Sequence, residues 1–323
     1  MIINDRIYGN IKIKSKVIEE LILSKPLQRL KKISQDGAPH FIQPIRNVNR
    51  FEHSVGVWYL SSLFKRPIEE QIACLLHDVP HTAFSHVIDF VMEDEKHEFH
   101  EKFTEKLILE SEIPKILKKY KINIKKVLDK EKFELLENNL PDISFDRWDY
   151  FMRDGFTINF LPKTTINEFL ANIHLDKNRL YFDDIKFASM YAILFTSFSR
   201  LIWLDPTSHG SFFLISEALK IALNNKLITE DDFFTDDELL MKKLKKTKNI
   251  KINKLLDRLK KGKEFVYESQ DKAEFFGPNK PRSVDPLVKI KNKLVRLSTQ
   301  VPSLGYYFEE FKENYKKIGV KQL

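Results

Sequence analysis

The dipeptide His77-Asp78 constrains this chain more than any other feature. It closes an apolar helix pattern in which Ile68, Ile72, Leu75 and Leu76 recur at helical spacing and so face a core. An ionised carboxylate that enters an interior is strongly disfavoured unless it is paired or bound to a metal. Neighbours in a regular helix diverge by about 100°, so they rarely share one target. Pro80, however, disfavours helical geometry at Val79 and puts the pair at a helix end, where both side chains can converge on one ion. Other segments must then fold back to supply partners.

Two segments qualify. In Arg50-Phe51-Glu52-His53-Ser54-Val55-Gly56-Val57, His53 begins a second apolar helix pattern. Between Asp142, which reads as an N-cap, and Gly155, which reads as a C-cap, a third helix is expected. Phe145, Trp148 and Met152 form its apolar stripe, and Asp146, Tyr150, Arg153 and Asp154 a polar one beside it. Such a helix packs one face into a core and presents the other to a site. Two imidazoles and two carboxylates from the three segments make a mixed N/O site for a divalent ion. A structural polar core is the alternative.

The chain has 323 residues, 42% hydrophobic, which is enough for one large domain and a smaller one. Only 9 Gly and 13 Pro argue against a turn-rich sheet fold. The single Cys, Cys74, excludes an internal disulfide and reads as core packing in a reducing cytosol. No signal-peptide pattern and no apolar run long enough to cross a membrane is expected, so the protein reads as cytoplasmic. The net charge of +8 suits polyanionic ligands. The lysine runs at 242–246 and 260–263 read as solvated helix faces, with nucleic-acid contact the less favoured reading.

Helices are expected over 16–35, 51–65, 68–78, 85–92, 97–110, 113–120, 143–154, 164–171, 184–204 and 210–226. Strand-like pieces occur at Ile11-Lys12-Ile13 and Arg179-Leu180-Tyr181-Phe182. A composition shift near Thr229 divides the chain into residues 1–228 and a basic C-terminal lobe, 229–323. The fold class is mainly α, a helical core with a smaller C-terminal α(+β) lobe.

The three segments resemble the motifs of the HD-domain metal-dependent phosphohydrolases. The branch is that of the SAM-and-HD-domain-type dNTP triphosphohydrolases and their bacterial relatives. The carrying residues are Arg50 to Val57, His77-Asp78-Val79-Pro80-His81-Thr82-Ala83-Phe84-Ser85-His86, and Asp146 to Asp154. Asp5 to Ile11 and Leu27-Gln28-Arg29-Leu30 match the branch's usual start. The resemblance implies an HD fold and one divalent ion (Mn, Fe, Ni, Co, Zn or Mg) held by His53, His77, Asp78 and Asp146, with Asp149 as a rival one turn away. It implies site roles for His81 and His86, with His86 as candidate general acid and core histidines as the bland reading. His97, as an auxiliary histidine, is balanced against a solvated helix start. Arg50 and Arg147 resemble phosphate contacts, which suits the planar guanidinium fork. Gln35, Tyr150 and Asp154 would line the substrate pocket.

The likeness is continuous from about Ile3 to Gly155 and thin beyond about Lys226, apart from Lys280-Pro281-Arg282-Ser283-Val284-Asp285-Pro286. It departs where specificity should be set. Ser197 stands where the dNTP triphosphohydrolases carry an arginine, and Asp205-Pro206 where they carry a tyrosine-glutamine pair. Ser144 replaces an aspartate, and Asp36 follows Gln35 in place of leucine. A carboxylate near a triphosphate is unfavourable unless offset by a metal or an arginine. No SAM-type segment precedes the match, so regulation through one is not expected.

The expected activity is cleavage of a phosphoester of a nucleotide or related small phosphate by a metal-activated water, with a homo-oligomer compatible. A dNTP triphosphohydrolase releasing inorganic triphosphate is the runner-up. A nucleotide- or nucleic-acid-binding module with an idle metal site is the reading of another class.

Overall fold

The computed structural model describes residues 1–92 and 99–323. The helices that build the site and its two cores include α1 (Lys16–Leu23), α2 (Arg50–Leu63), α3 (Ile68–Leu76), α4 (Val87–Val91), α5 (Phe145–Thr157), α6 (Lys163–Asn172), α7 (Ile185–Phe198), α8 (Pro206–Asn224), α9 (Asp237–Lys246), α10 (Ile250–Lys261) and α11 (Pro302–Asn314). The helix expected over 16–35 is broken instead at Ser24, which is extended. A short helix restarts at Lys25 with Pro26 in its first turn, where a missing N–H is tolerated. Asp142 is not the cap of α5. Ser144 takes that role, its hydroxyl accepting from the Arg147 N–H at 3.1 Å. Gly155 does not end α5 either; it lies inside the helix against Leu161.

The run 184–204 is α7 followed by a π-helical turn, Ser199–Trp203. By length and composition this helix could cross a membrane, which corrects the expectation that no run could. Tyr191, Ala192, Phe195 and Phe198 are nevertheless fully buried in the protein core.

Two hydrophobic cores form. The first holds α2, α3, α5 and α7, centred on an aromatic nest in which Trp148 stacks on Tyr191 at 5.1 Å. The second gathers α4, α8, α9 and α10 with Ala83 and Phe84. Both cores draw residues from either side of position 228: Val284, Val288, Leu297 and Phe308 belong to the first, Leu214 and Ala218 to the second. A four-stranded sheet explains part of this crossing. The hairpin Ile173–Asp176 and Arg179–Phe182 pairs in parallel with Leu287–Ile290, which pairs with Lys293–Arg296. Tyr181 lies opposite Leu287 and Phe182 opposite Val288. A separate three-stranded antiparallel sheet places Lys317–Gln322 between Phe265–Glu268 and Phe275–Pro278.

The Trp148 ring fills the nest, so its removal leaves a cavity. Trp148→Ala should cost about 3–5 kcal/mol of stability in urea titrations. Trp148→Phe should cost much less, because the Trp148 indole N–H is buried without a partner among the described residues.

Candidate metal centre

Three elements converge as the sequence anticipated. His53 projects from α2, His77 caps α3, and Asp146 sits in the first turn of α5. His53 Nε2 lies 3.0 Å from Asp146 Oδ1 and 3.2 Å from His77 Nε2. His77 Nε2 lies 3.6 Å from Asp146 Oδ1 and 3.4 Å from Asp78 Oδ1. Asp78 Oδ2 is 3.9 Å from His53 Nε2. Donor atoms about 3 Å apart match the edges of a polyhedron whose metal–ligand bonds are near 2.1 Å.

The backs of both imidazoles are held by the chain. His53 Nδ1 is 2.8 Å from Asp149 Oδ2, and His77 Nδ1 is 2.8 Å from the Cys74 carbonyl oxygen. Each acceptor fixes the Nδ1–H tautomer and leaves the Nε2 lone pair facing the cluster, as metal-binding histidines require. Asp149 is thereby placed behind His53, on the side away from Asp146. The residues present fit a divalent ion.

Asp149 is itself fully buried and charge-balanced. Arg153 Nε donates to its Oδ2 at 2.8 Å and a terminal nitrogen to Oδ1 at 2.9 Å. Arg153 also donates to Asp5, and the Tyr8 hydroxyl donates to Asp149 at 2.8 Å. This network enters the core because α2 carries Gly56 at the crossing. A Cβ there would lie 1.9 Å from Asp149 Oδ1.

Electrostatics show how much positive charge the cluster demands. Burial would lower the His53 proton affinity, but Asp146 and Asp149 override it and lift its pKa to about 10. Burial would raise Asp78, yet Arg50, His77 and His53 bring it down to about 2. Against burial, the two histidines hold Asp146 well below the usual carboxylate range. In the metal-free protein a proton on His53 does the neutralising that a cation would do.

The loop after His77 carries the other histidines. Phe84 and Ser85 are both left-handed, with φ of 59° and 51°. The Phe84 N–H donates to Asp237 at 2.7 Å, and the Ser85 hydroxyl to the Ser34 carbonyl at 2.5 Å. Gly37, at φ 66°, makes room, since a Cβ there would lie 2.4 Å from the Phe84 carbonyl oxygen. His81 Nε2 lies 3.3 Å from Asp78 Oδ1, and the His81 and His86 rings meet edge to face at 5.2 Å. His86 Nδ1 is 3.0 Å from Asp89. Burial, helped by Arg50 and Arg282, lowers the His86 pKa despite Asp89. His97 lies outside the described residues.

The arginines are less alike than the sequence suggested. Arg50 donates to Asp78 at 2.8 Å and to Ser85 at 2.7 Å, beside the cluster. Arg147 turns its terminal nitrogens to Asn138 and to the Asp142 carbonyl oxygen. Tyr150 faces Trp203 at 5.2 Å, and Trp203 Nε1 donates to Asp154 at 3.1 Å. Burial, then Asp36, lifts the Asp154 pKa to about 8. Asp154 Oδ1 and Gln35 Oε1 are buried acceptors without a partner among the described residues.

Sequence reasoning missed Arg46. Its guanidinium reaches Asp36 at 2.6 Å, Ser208 at 2.6 Å and Asp205 at 3.4 Å. It thus offsets two of the carboxylates that depart from the family pattern. The one available signal was the need of Asp36 for a cation. Lys242, Lys245 and Lys246 border a different cleft of about 770 Å³ whose lining includes none of the four proposed ligands.

Known proteins share the sequence segment and the fold that hold this cluster. A family model described as HD domain matches residues 50–154. The uncharacterised protein YdhJ of Bacillus subtilis (strain 168) is 35% identical over 299 residues, covering 92% of this chain and 91% of its own length. The metal-dependent phosphohydrolase cns2 of Cordyceps militaris is 30% identical over 213 residues, 64% of this chain and 61% of its own. A solved phosphohydrolase of Bacteroides thetaiotaomicron superposes with a TM-score of 0.78 at 19% identity, over 99% of this chain and 98% of that one, a likeness of fold. The chain belongs to the HD-domain family.

Two outcomes follow for the metal. Asp78→Ala and His53→Ala should purify folded but metal-poor, whereas Asp149→Ala should weaken affinity about 10–100-fold without abolishing it. Metal uptake must displace the His53 proton, so apparent affinity should rise with pH towards about 10. Calorimetry in buffers of different ionisation enthalpy should register proton release near neutrality.

Proposed function

We propose that the protein is a metal-dependent phosphohydrolase that cleaves a phosphoester of a nucleotide or related small phosphate. The supporting observation is the pair of imidazoles whose Nδ1 atoms are tied back to Asp149 and Cys74, leaving two Nε2 donors beside Asp146 and Asp78. That arrangement suits a metal site, because two Nε2 atoms 3.2 Å apart converge on the Asp146 and Asp78 carboxylates. A divalent ion held by His53, His77, Asp78 and Asp146 would acidify a water and polarise a phosphoryl oxygen.

The chain's own residues supply the rest. Arg50 keeps Asp78 ionised and carries positive charge to the edge of the cluster, where phosphoryl charge grows. His86 is the proton donor to the leaving oxygen. Asp89 fixes its Nδ1 side, and its side chain is 35% exposed, so the ring reaches the opening of the site. His81 stands between His86 and Asp78 and orients the donor. Tyr150, Asp154 and Gln35 form the wall that takes the non-phosphate part of the substrate. The partnerless acceptors on that wall call for hydrogen-bond donors such as sugar hydroxyls.

The acidic wall disfavours a long polyphosphate. Asp36 and Asp205 share Arg46, and burial, with Asp36 adding to it, still lifts the Asp154 pKa to about 8. Release of inorganic triphosphate from the standard dNTPs should be weak or undetectable. Conversion at ordinary enzymatic rates, about 1–10³ per second, would establish the dNTP triphosphohydrolase instead.

Proton delivery gives a sharper test. His86→Ala should slow esters with poor leaving groups by about 10²–10⁴-fold and leave nitrophenyl esters far less affected. Since the His86 pKa is held below its ordinary 6.5, the proton needed for donation is lost as pH rises through that lower value. The kcat/KM for alkyl esters should therefore decline on the alkaline side of it, and that decline should vanish in His86→Ala. Equal losses for both ester types would make His86 a binding or folding residue.

A further inference from the structure

We propose that Arg282, from the Lys280-Pro281-Arg282-Ser283-Val284-Asp285-Pro286 segment, is the arginine that grips the substrate's phosphoryl group. The inference rests on the phosphohydrolase reading and names a substrate contact that the three HD motifs do not contain.

Four arginines near the metal centre have partners that restrict them. Arg153 is enclosed by Asp149 and Asp5. Arg46 is held by Asp36, Ser208 and Asp205. Arg147 turns both terminal nitrogens to Asn138 and the Asp142 carbonyl, and Arg50 gives its Nε and one terminal nitrogen to Ser85 and Asp78. A phosphoryl group needs at least one guanidinium with an open fork to be bound in a bidentate way. Among the described residues the Arg282 guanidinium has no hydrogen bond and no carboxylate within ion-pair distance. It is half-buried and lies over the Trp203 ring at 6.0 Å.

Its position is fixed by the backbone on either side. The Arg282 N–H donates to the hydroxyl of fully buried Ser199 at 3.1 Å. Ser283 and Val284 are buried, and the Asp285 N–H donates to the Pro141 carbonyl at 3.0 Å. The Asp285 carboxylate accepts from the Ser298 N–H at 2.9 Å and its hydroxyl at 2.6 Å. A segment anchored this firmly presents one free cation towards the site. Trp203 touches both Tyr150 and Asp154, and the Arg282 charge acts on Tyr150 and His86. The cation therefore stands on the His86 side of the centre, beside the bond between phosphorus and the leaving oxygen of a bound phosphoester.

The test uses the full chain loaded with manganese. Wild type, R282Q and R282K are compared for KM and kcat on a nitrophenyl phosphoester and for competitive inhibition by inorganic phosphate. Loss of a charge-assisted bidentate contact should raise KM and the phosphate inhibition constant together by about 10–100-fold in R282Q. Metal content and melting temperature should stay at wild-type values. R282K should recover part of the loss, since a point charge replaces the fork. Unchanged KM and phosphate inhibition in R282Q overturn the assignment while leaving the phosphohydrolase reading intact. If the wild type cleaves no phosphoester with any divalent metal, that reading fails on its own. Calorimetric titration of inorganic phosphate into wild type and R282Q then decides Arg282, and equal affinities overturn it.

Discussion

The closeness with which α2 and α5 cross governs the centre. Gly56 removes the side chain that would otherwise collide with Asp149, so a carboxylate from α5 can reach the back of His53 on α2. That carboxylate is fully buried and depends on Arg153, which in turn depends on Asp5 from the N-terminal hairpin, Ile2–Asp5 paired with Gly9–Lys12. Removing one partner of such a buried set leaves an uncompensated charge, at a cost of about 3–5 kcal/mol. The N-terminal hairpin is thus part of the apparatus that aims a ligand, although it lies far from the ligand in sequence.

The second core has a comparable task on the opposite side. It holds the loop between His77 and α4 through Phe84, whose left-handed backbone is secured by Asp237. Arg29 adds a brace, donating to the carbonyls of Val79 and His81 on one side and of Phe234 and Thr235 on the other. The histidines after the metal pair therefore sit on a backbone clamped by residues up to 153 positions away. Strain at two consecutive positive-φ residues persists because these contacts over-determine it.

Much of this was legible in the chain. Local periodicity placed α2, α3, α5 and the hairpin strand Arg179–Phe182, because each has a clear apolar face or strand composition. The cluster residues were legible because burying His53, His77, Asp78 and Asp146 makes sense only together. What stayed hidden was long-range. The break at Ser24 and the capping role of Ser144 turn on one residue each. The Arg46 pairings and the parallel pairing of Arg179–Phe182 with Leu287–Ile290 join segments that no local pattern connects. The composition shift near Thr229 reflects surface charge, which says little about which core a residue enters.

The π-helical turn at Ser199–Trp203 has a consequence for evolution as well as for shape. Such a turn holds one residue more than the helical repeat requires, and here it closes α7. The extra residue shifts the direction of the side chains within the turn by about 100° relative to an α-helical ending. Here Trp203, the last residue of the turn, meets Tyr150 and Asp154, and the extended Asp205 after it caps α8. A relative whose helix lacks the extra residue would present different side chains to the same pocket. Gap-free matching across this stretch would then pair residues that do not occupy the same place. A single inserted or deleted codon could in this way change which substrate the family's shared metal chemistry is offered.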